Sequence, residues 1–171
     1  DDGTIPRKNG TTPFDGEGFQ KQPITIIDKG VIKNYLLDIV TAKKLGMKPN
    51  GSSSRGIFSP PAPSISNIIV GNGDTNLKEL LKYFPKAILV DGLLGIGQGN
   101  VLSGAFSNPV ALAFFVENGE IVGRVKNLAI AGNIYECLKN ITAISEEREW
   151  KGGVYLLPHI LLDNLSITGG E

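Results

Sequence analysis

The sequence predicts an α+β chain: a large, mostly antiparallel sheet built from hairpins, with a few short helices. Three observations carry that expectation. Runs of β-branched and apolar residues come in pairs separated by turn dipeptides, most clearly on either side of Asn118-Gly119. Helical periodicity is confined to short windows. Strands and helices do not alternate regularly, as a doubly wound parallel sheet would require.

The elements follow in chain order. Residues 1–22 read as loop or linker, because Asn9-Gly10, Asp15-Gly16 and Glu17-Gly18 are turn signals and apolar residues are few. Residues 23–37 read as a hairpin turning at Asp28-Lys29-Gly30. Asp38 is placed to cap a short helix that runs to Leu45 and stops at Gly46. Residues 46–64 read as one long irregular segment, and its prolines favour polyproline II geometry and exclude a central strand. Within it, residues 49–64 hold only Ile57 and Phe58 as large apolar anchors. They are expected to be the least ordered internal segment and to order when a peptide or subunit docks on that pair.

Ile65 to Val70 reads as a strand. Asp74-Thr75-Asn76 opens a helix whose Leu77, Leu80, Leu81 and Phe84 form a core stripe. Residues 87–90 read as a buried strand and 92–104 as a glycine-rich loop. Residues 110–117 and 120–125 form the Asn118-Gly119 hairpin, and 128–131 add a strand. Gly132-Asn133 opens a helix with Ile134, Cys137, Leu138 and Ile141 on one face. Strands over 154–157 and 160–167 close the chain. The whole of 1–171 is expected to be one domain.

Composition narrows the function classes. Seventeen Lys plus Arg balance seventeen Asp plus Glu, so no basic footprint for a phosphate backbone is present, and direct nucleic-acid binding is not expected. With a single cysteine, Cys137, no internal disulfide can form, which favours a reducing, cytoplasmic compartment. The apolar runs are too short to span a bilayer, so no membrane association is expected. No signal peptide begins Asp1-Asp2-Gly3-Thr4, and with no initiator Met the chain is expected to be a fragment or a processed product. The Asn-x-Ser/Thr triplets at Asn9, Asn50, Asn140 and Asn164 carry no meaning without a secretion signal.

The candidate chemistry is thin. In Gly95-Ile96-Gly97-Gln98-Gly99-Asn100 the third glycine of a dinucleotide fingerprint falls on Leu102 or Asn100, and no helix pattern follows to receive a pyrophosphate. His159 is the only imidazole and sits in an apolar run, which reads as a half-buried structural residue. Cys137 lies on an apolar helix face with no adjoining cation to activate it. Glu146-Glu147-Arg148-Glu149 reads as a solvated face, and no carboxylate cluster has EF-hand spacing. No catalytic residue and no metal ligand is expected in the chain.

Several segments resemble one family, in order along the whole chain. Thr12-Pro13-Phe14-Asp15-Gly16-Glu17-Gly18, Lys29 to Asp38 and Thr41-Ala42-Lys43-Lys44-Leu45-Gly46 are similar to the motifs R/T-P-F-D-D-E-G, N-G-V-L-K-S-Y-L-L-D and S-A-R-K-L-G of TldD/PmbA proteins, also called modulators of DNA gyrase. Val116-Glu117-Asn118-Gly119-Glu120-Ile121, Ile130-Ala131-Gly132-Asn133 and Leu165 to Gly170 fit the same pattern. The resemblance implies a C-terminal domain in a cytosolic two-subunit protease. One subunit holds zinc through an upstream His-Glu-x-x-x-His and a C-terminal cysteine. The PmbA, or TldE, subunit lacks those ligands.

This chain has no His-Glu-x-x-x-His and no cysteine between Glu146 and Leu165, and Leu94 to Gly99 resembles the PmbA loop L-M-G-Q-G-V-N. The resemblance therefore implies the metal-free subunit, with no cofactor in this chain. Its partners would be a TldD-like catalytic subunit or a second copy, and unfolded peptides. One departure stands out. Ser103-Gly104-Ala105-Phe106-Ser107-Asn108-Pro109-Val110 replaces T-G-D-Y-S-R-G-A, and the Asp and Arg are gone. Candidate substrate- or partner-facing residues are Asp15, Glu17, Gly97, Gln98, Gly99, Ile57 and Phe58. Two other expectations compete: an active zinc peptidase whose metal motif lies upstream, and a gyrase-interacting module without protease activity.

Overall fold

A computed structural model describes residues 1–97 and 102–169. Among them, strands outweigh helices, the sheets are mainly antiparallel and the three helices are short, as the hairpin-rich sequence predicts. The chain divides into two compact units, one of residues 1–71 with 148–157 and one of residues 72–147 with 158–171.

In the first unit, β1 (Ile27–Asp28) and β2 (Val31–Ile32) form the expected hairpin, much shorter than the apolar run. Its turn places Lys29 at φ 49° and Gly30 at φ 79°. Helix α1 (Ile39–Leu45) begins and ends where the sequence places it. The Asp38 side chain accepts the Thr41 N–H, and Gly46 takes the left-handed conformation at φ 66°.

The long irregular segment contains a further pairing: β3 (Ser53–Ser54) lies antiparallel to β4 (Ala62–Pro63). Pro63 is tolerated because the ladder is two residues long and needs few backbone donors. Gly51, Ser52 and Ser53 at its base are buried. Gly51 has φ 77°, and a Cβ there would collide with the Gln20 carbonyl, so glycine is required twice over. Farther on, β5 (Ile68–Ile69) pairs parallel with Tyr155 and Leu156.

In the second unit, Asn76 caps α2 (Leu77–Lys82), and Leu80 of its stripe is buried. The sheet is organised on β7 (Ala105–Glu117), the longest strand. Along one edge it pairs with β6 (Lys86–Leu93), which bulges at Asp91. Along the other, β9 (Leu128–Asn133) takes its first half and β8 (Glu120–Val125) its second. β12 (Ser166–Gly169) borders β9. Asn118 at φ 50° and Gly119 at φ 85° make the predicted tight turn between β7 and β8.

Two expectations need correction, and a third gains a strand. The strand read as 110–117 begins five residues earlier, at Ala105, because Asn133 to Ala129 offer it a pairing edge. The acidic run read as a solvated face is exposed, and it lies in a strand that was not foreseen, β10 (Ile141–Lys151), which borders β11 (Tyr155–Leu162) in a sheet ordered β10-β11-β5. Its charges are exposed, but Ser145 is fully buried. Helix α3 (Ile134–Lys139) buries only Cys137 of its proposed apolar face, and Ile141 already belongs to β10.

The cores are small: Ile24, Leu37 and Ala42 in the first unit, and Leu80, Ala113, Val116, Leu128, Ile130 and Cys137 in the second. Leu37 is 1% exposed. Leu37→Ala removes most of a buried side chain and is predicted to cost about 2–5 kcal/mol in urea unfolding.

Candidate functional site

Two candidate residues of the first unit, Asp15 and Glu17, lie in the turn closed by the Phe14–Gln20 bridge. Asp15 Oδ1 accepts the N–H groups of Glu17 and Phe19, each at 2.9 Å, and Oδ2 accepts the Ser53 N–H at 3.1 Å. Gly16 N–H donates to the Ser53 carbonyl at 2.9 Å. One carboxylate thus shapes the turn and ties it to β3. Glu17 Oε2 accepts the Ile39 N–H at 2.9 Å, while Asp38 Oδ1 accepts the Thr41 N–H at 2.6 Å. Both carboxylates serve the first turn of α1, where backbone donors have no intrahelical partner.

Beneath this turn lies a buried polar frame that the sequence does not announce. The Lys21 ammonium donates to Ser66 Oγ, and both residues are buried. Burial pushes the Lys21 pKa below the ordinary lysine range, and the negative charge of Asp15 pulls it part of the way back. Asn67, fully buried, accepts the Gly10 N–H at 3.1 Å. It donates to the Asp2 carbonyl at 2.7 Å and to Thr11 Oγ1 at 3.1 Å. The hydroxyls of Ser52 and Ser53 are buried without a partner among the described residues. Gln20-Lys21-Gln22 has the pattern of a surface segment, so no local signal marks Lys21 as an interior cation.

Ile57 and Phe58 stand apart from this frame, at the tip of the β3–β4 loop, 93% and 99% exposed. Arg55, Gly56, Ile57, Ser59, Pro60 and Pro61 line a shallow open hollow there. The segment expected to be uniformly irregular is therefore divided: a buried, hydrogen-bonded base and a bare apolar tip. In the second unit, Gly97 has φ 90° and open space where a Cβ would stand. Gln98 and Gly99 lie outside the described residues.

The remaining candidates occupy structural positions. Cys137 is buried in α3. His159 donates its backbone N–H to Ser145 Oγ at 2.8 Å, and its Nδ1 is buried without a partner among the described residues. No three His, Cys, Asp or Glu residues gather as a cation-binding group among the described residues, and no described helix is long and apolar enough to cross a membrane.

The mainly antiparallel sheets, with the family-like motifs standing in the Asp15 turn, the β1–β2 hairpin and α1, fit the C-terminal domain that the sequence resembles. Residues 1–169 match the model of the PmbA/TldA metallopeptidase C-terminal domain, and the chain belongs to that family. Relatives carry both subunit names. The chain is 34% identical to the metalloprotease PmbA homolog of Haemophilus influenzae, over 95% of this chain and 34% of that protein. It is 28% identical to the metalloprotease TldD homolog of Buchnera aphidicola, over 99% of this chain and 38% of that one. The chain thus spans little more than a third of the length of these relatives. The crystal structure of TldE from Thermococcus kodakarensis superposes with a TM-score of 0.86 at 29% identity, over 99% of this chain and 39% of that one. A Thermotoga maritima structure named for modulation of a DNA gyrase gives a TM-score of 0.81 at 28% identity, over 96% and 37%.

The cap of α1 gives a pH test. Hydrogen bonds from Thr41, its side chain first and its backbone N–H second, hold the Asp38 carboxyl below its ordinary value of 3.8. A depressed carboxylate stabilises the fold above its unfolded pKa, and that contribution fades as pH falls through the folded value. Asp38→Asn keeps a cap but removes the titration. Urea midpoints measured down an acid series are predicted to fall less steeply in the variant than in the parent below pH 3.8.

Proposed function

We propose that this chain is the shape-forming, non-catalytic C-terminal part of a PmbA-type subunit. It helps to build a dimer with a TldD-like partner or a second copy, and to wall a path for unfolded peptide. One observation carries this reading. Asp15 and Glu17, the acids of the chain's most family-like motif, are committed to backbone N–H groups of their own chain. They hold loops in place and are not poised over a reacting group. Two features support the partner side of the reading. The Ile57-Phe58 tip presents apolar surface without cover from its own chain. Among the described residues β8 pairs with β7 alone, and its other edge offers backbone donors and acceptors to an extended peptide, a mode that reads main chain rather than sequence.

A second reading, an active zinc peptidase, is favoured by the metalloprotease names of the relatives and by the share of their length that lies outside the matched region. A third, an interaction module for gyrase, rests on the naming of a structural relative. A His-Glu-x-x-x-His upstream of residue 1 in the full-length protein would decide for the second reading, and zinc tests whether this chain is non-catalytic by itself. The chain is equilibrated with excess zinc, desalted, assayed for bound metal and incubated with an unstructured peptide. The predicted outcome is substoichiometric zinc and intact peptide. Stoichiometric zinc with zinc-dependent cleavage would sink the proposal.

A further inference from the structure

Four Asn-Gly pairs occur in the sequence: Asn9-Gly10, Asn50-Gly51, Asn72-Gly73 and Asn118-Gly119. In each, the glycine amide can in principle attack the asparagine carboxamide, because glycine has no side chain to hinder the approach. The fold treats the four differently. Gly10 N–H is held by Asn67 Oδ1 at 3.1 Å, and Gly73 N–H by the Ser145 carbonyl at 2.9 Å. Asn50 is pinned through both carboxamide atoms, accepting from Leu37 N–H at 3.1 Å and donating to the Tyr35 carbonyl at 2.7 Å, and Gly51 is buried. At Asn118-Gly119, the carboxamide and the glycine N–H are both without a hydrogen-bond partner among the described residues. Asn118 is exposed, and beyond the β7–β8 ladder the turn is tied through the Asn118 N–H to the Pro85 carbonyl at 2.8 Å.

We propose that Asn118 is a site of spontaneous deamidation, the one Asn-Gly pair this fold leaves open to it. The reaction needs no oxidant or cofactor. The Gly119 amide nitrogen loses its proton to solvent and attacks Asn118 Cγ. The Cγ–Nδ2 bond breaks and ammonia departs, leaving a cyclic imide. Water then opens either carbonyl, giving aspartate or isoaspartate. The product matters to the sheet. The new carboxylate sits beside Glu117 and Glu120, which face each other across the hairpin. Like charges in that position repel, and the isoaspartate form adds a backbone carbon to a turn whose left-handed geometry sets the β7–β8 register.

The test is peptide mapping by mass spectrometry after incubation of the folded chain in mildly alkaline buffer, with a parallel incubation in denaturant. In the folded chain, the amide-to-acid mass shift is expected to accumulate at Asn118 several-fold faster than at Asn9, Asn50 or Asn72. In denaturant the four rates should converge. The proposal is overturned if another of the four pairs converts as fast as Asn118 in the folded chain. It is equally overturned if Asn118 leads by the same factor in denaturant, since the preference would then belong to local sequence and not to the fold.

Discussion

The Asp15 carboxylate is the contact on which the first unit depends. That unit has one short helix, a few two-residue strands and three buried apolar residues, so its shape cannot come from a large apolar core. It comes from polar groups that fix loops. Asp15 gathers three backbone N–H groups, and one of them belongs to a residue 38 positions away. Charge-assisted hydrogen bonds of this kind are the stronger ones, and inside a protein an unmade bond of this kind is costly. Lys21, Ser66 and Asn67 extend the frame inward, and Glu17 and Asp38 connect it to the start of α1.

The second unit solves a different problem. Its stability rests on a long strand, β7, which pairs with β9 and then β8 along one edge and with β6 along the other. Val116 and Ala113, both fully buried on β7, lie at its heart. The tight turn at Asn118-Gly119 fixes the register of β7 against β8, and a slip of one residue would exchange the buried and exposed faces.

Local chemistry made some of this legible in the sequence. The Asp38 cap, the Gly46 stop and the Asn118-Gly119 turn each depend on residues a few positions apart, and all three stand where the pattern puts them. The acidic run in β10 hid a strand because exposed charges on an edge strand look like any solvated face, and its one buried residue is a serine. The first half of β7 was hidden because Ser107-Asn108-Pro109 carries no strand pattern of its own, and β9 supplies the pairing edge. At the candidate site, the motif located Asp15 and Glu17 but not their roles. Those roles depend on Ser53 and Ile39, far along the chain, and no local pattern encodes such contacts.

Amide exchange in Asp15→Ala tests most directly whether this carboxylate is a structural tie. If it is, the N–H groups of Glu17, Phe19 and Ser53 lose protection together in the variant, while the amides of the β7–β8 hairpin keep theirs. If all three keep the protection they have in the parent, the carboxylate is not what holds these loops. The account of Asp15 as a shape-forming rather than a ligand-facing residue would then be contradicted.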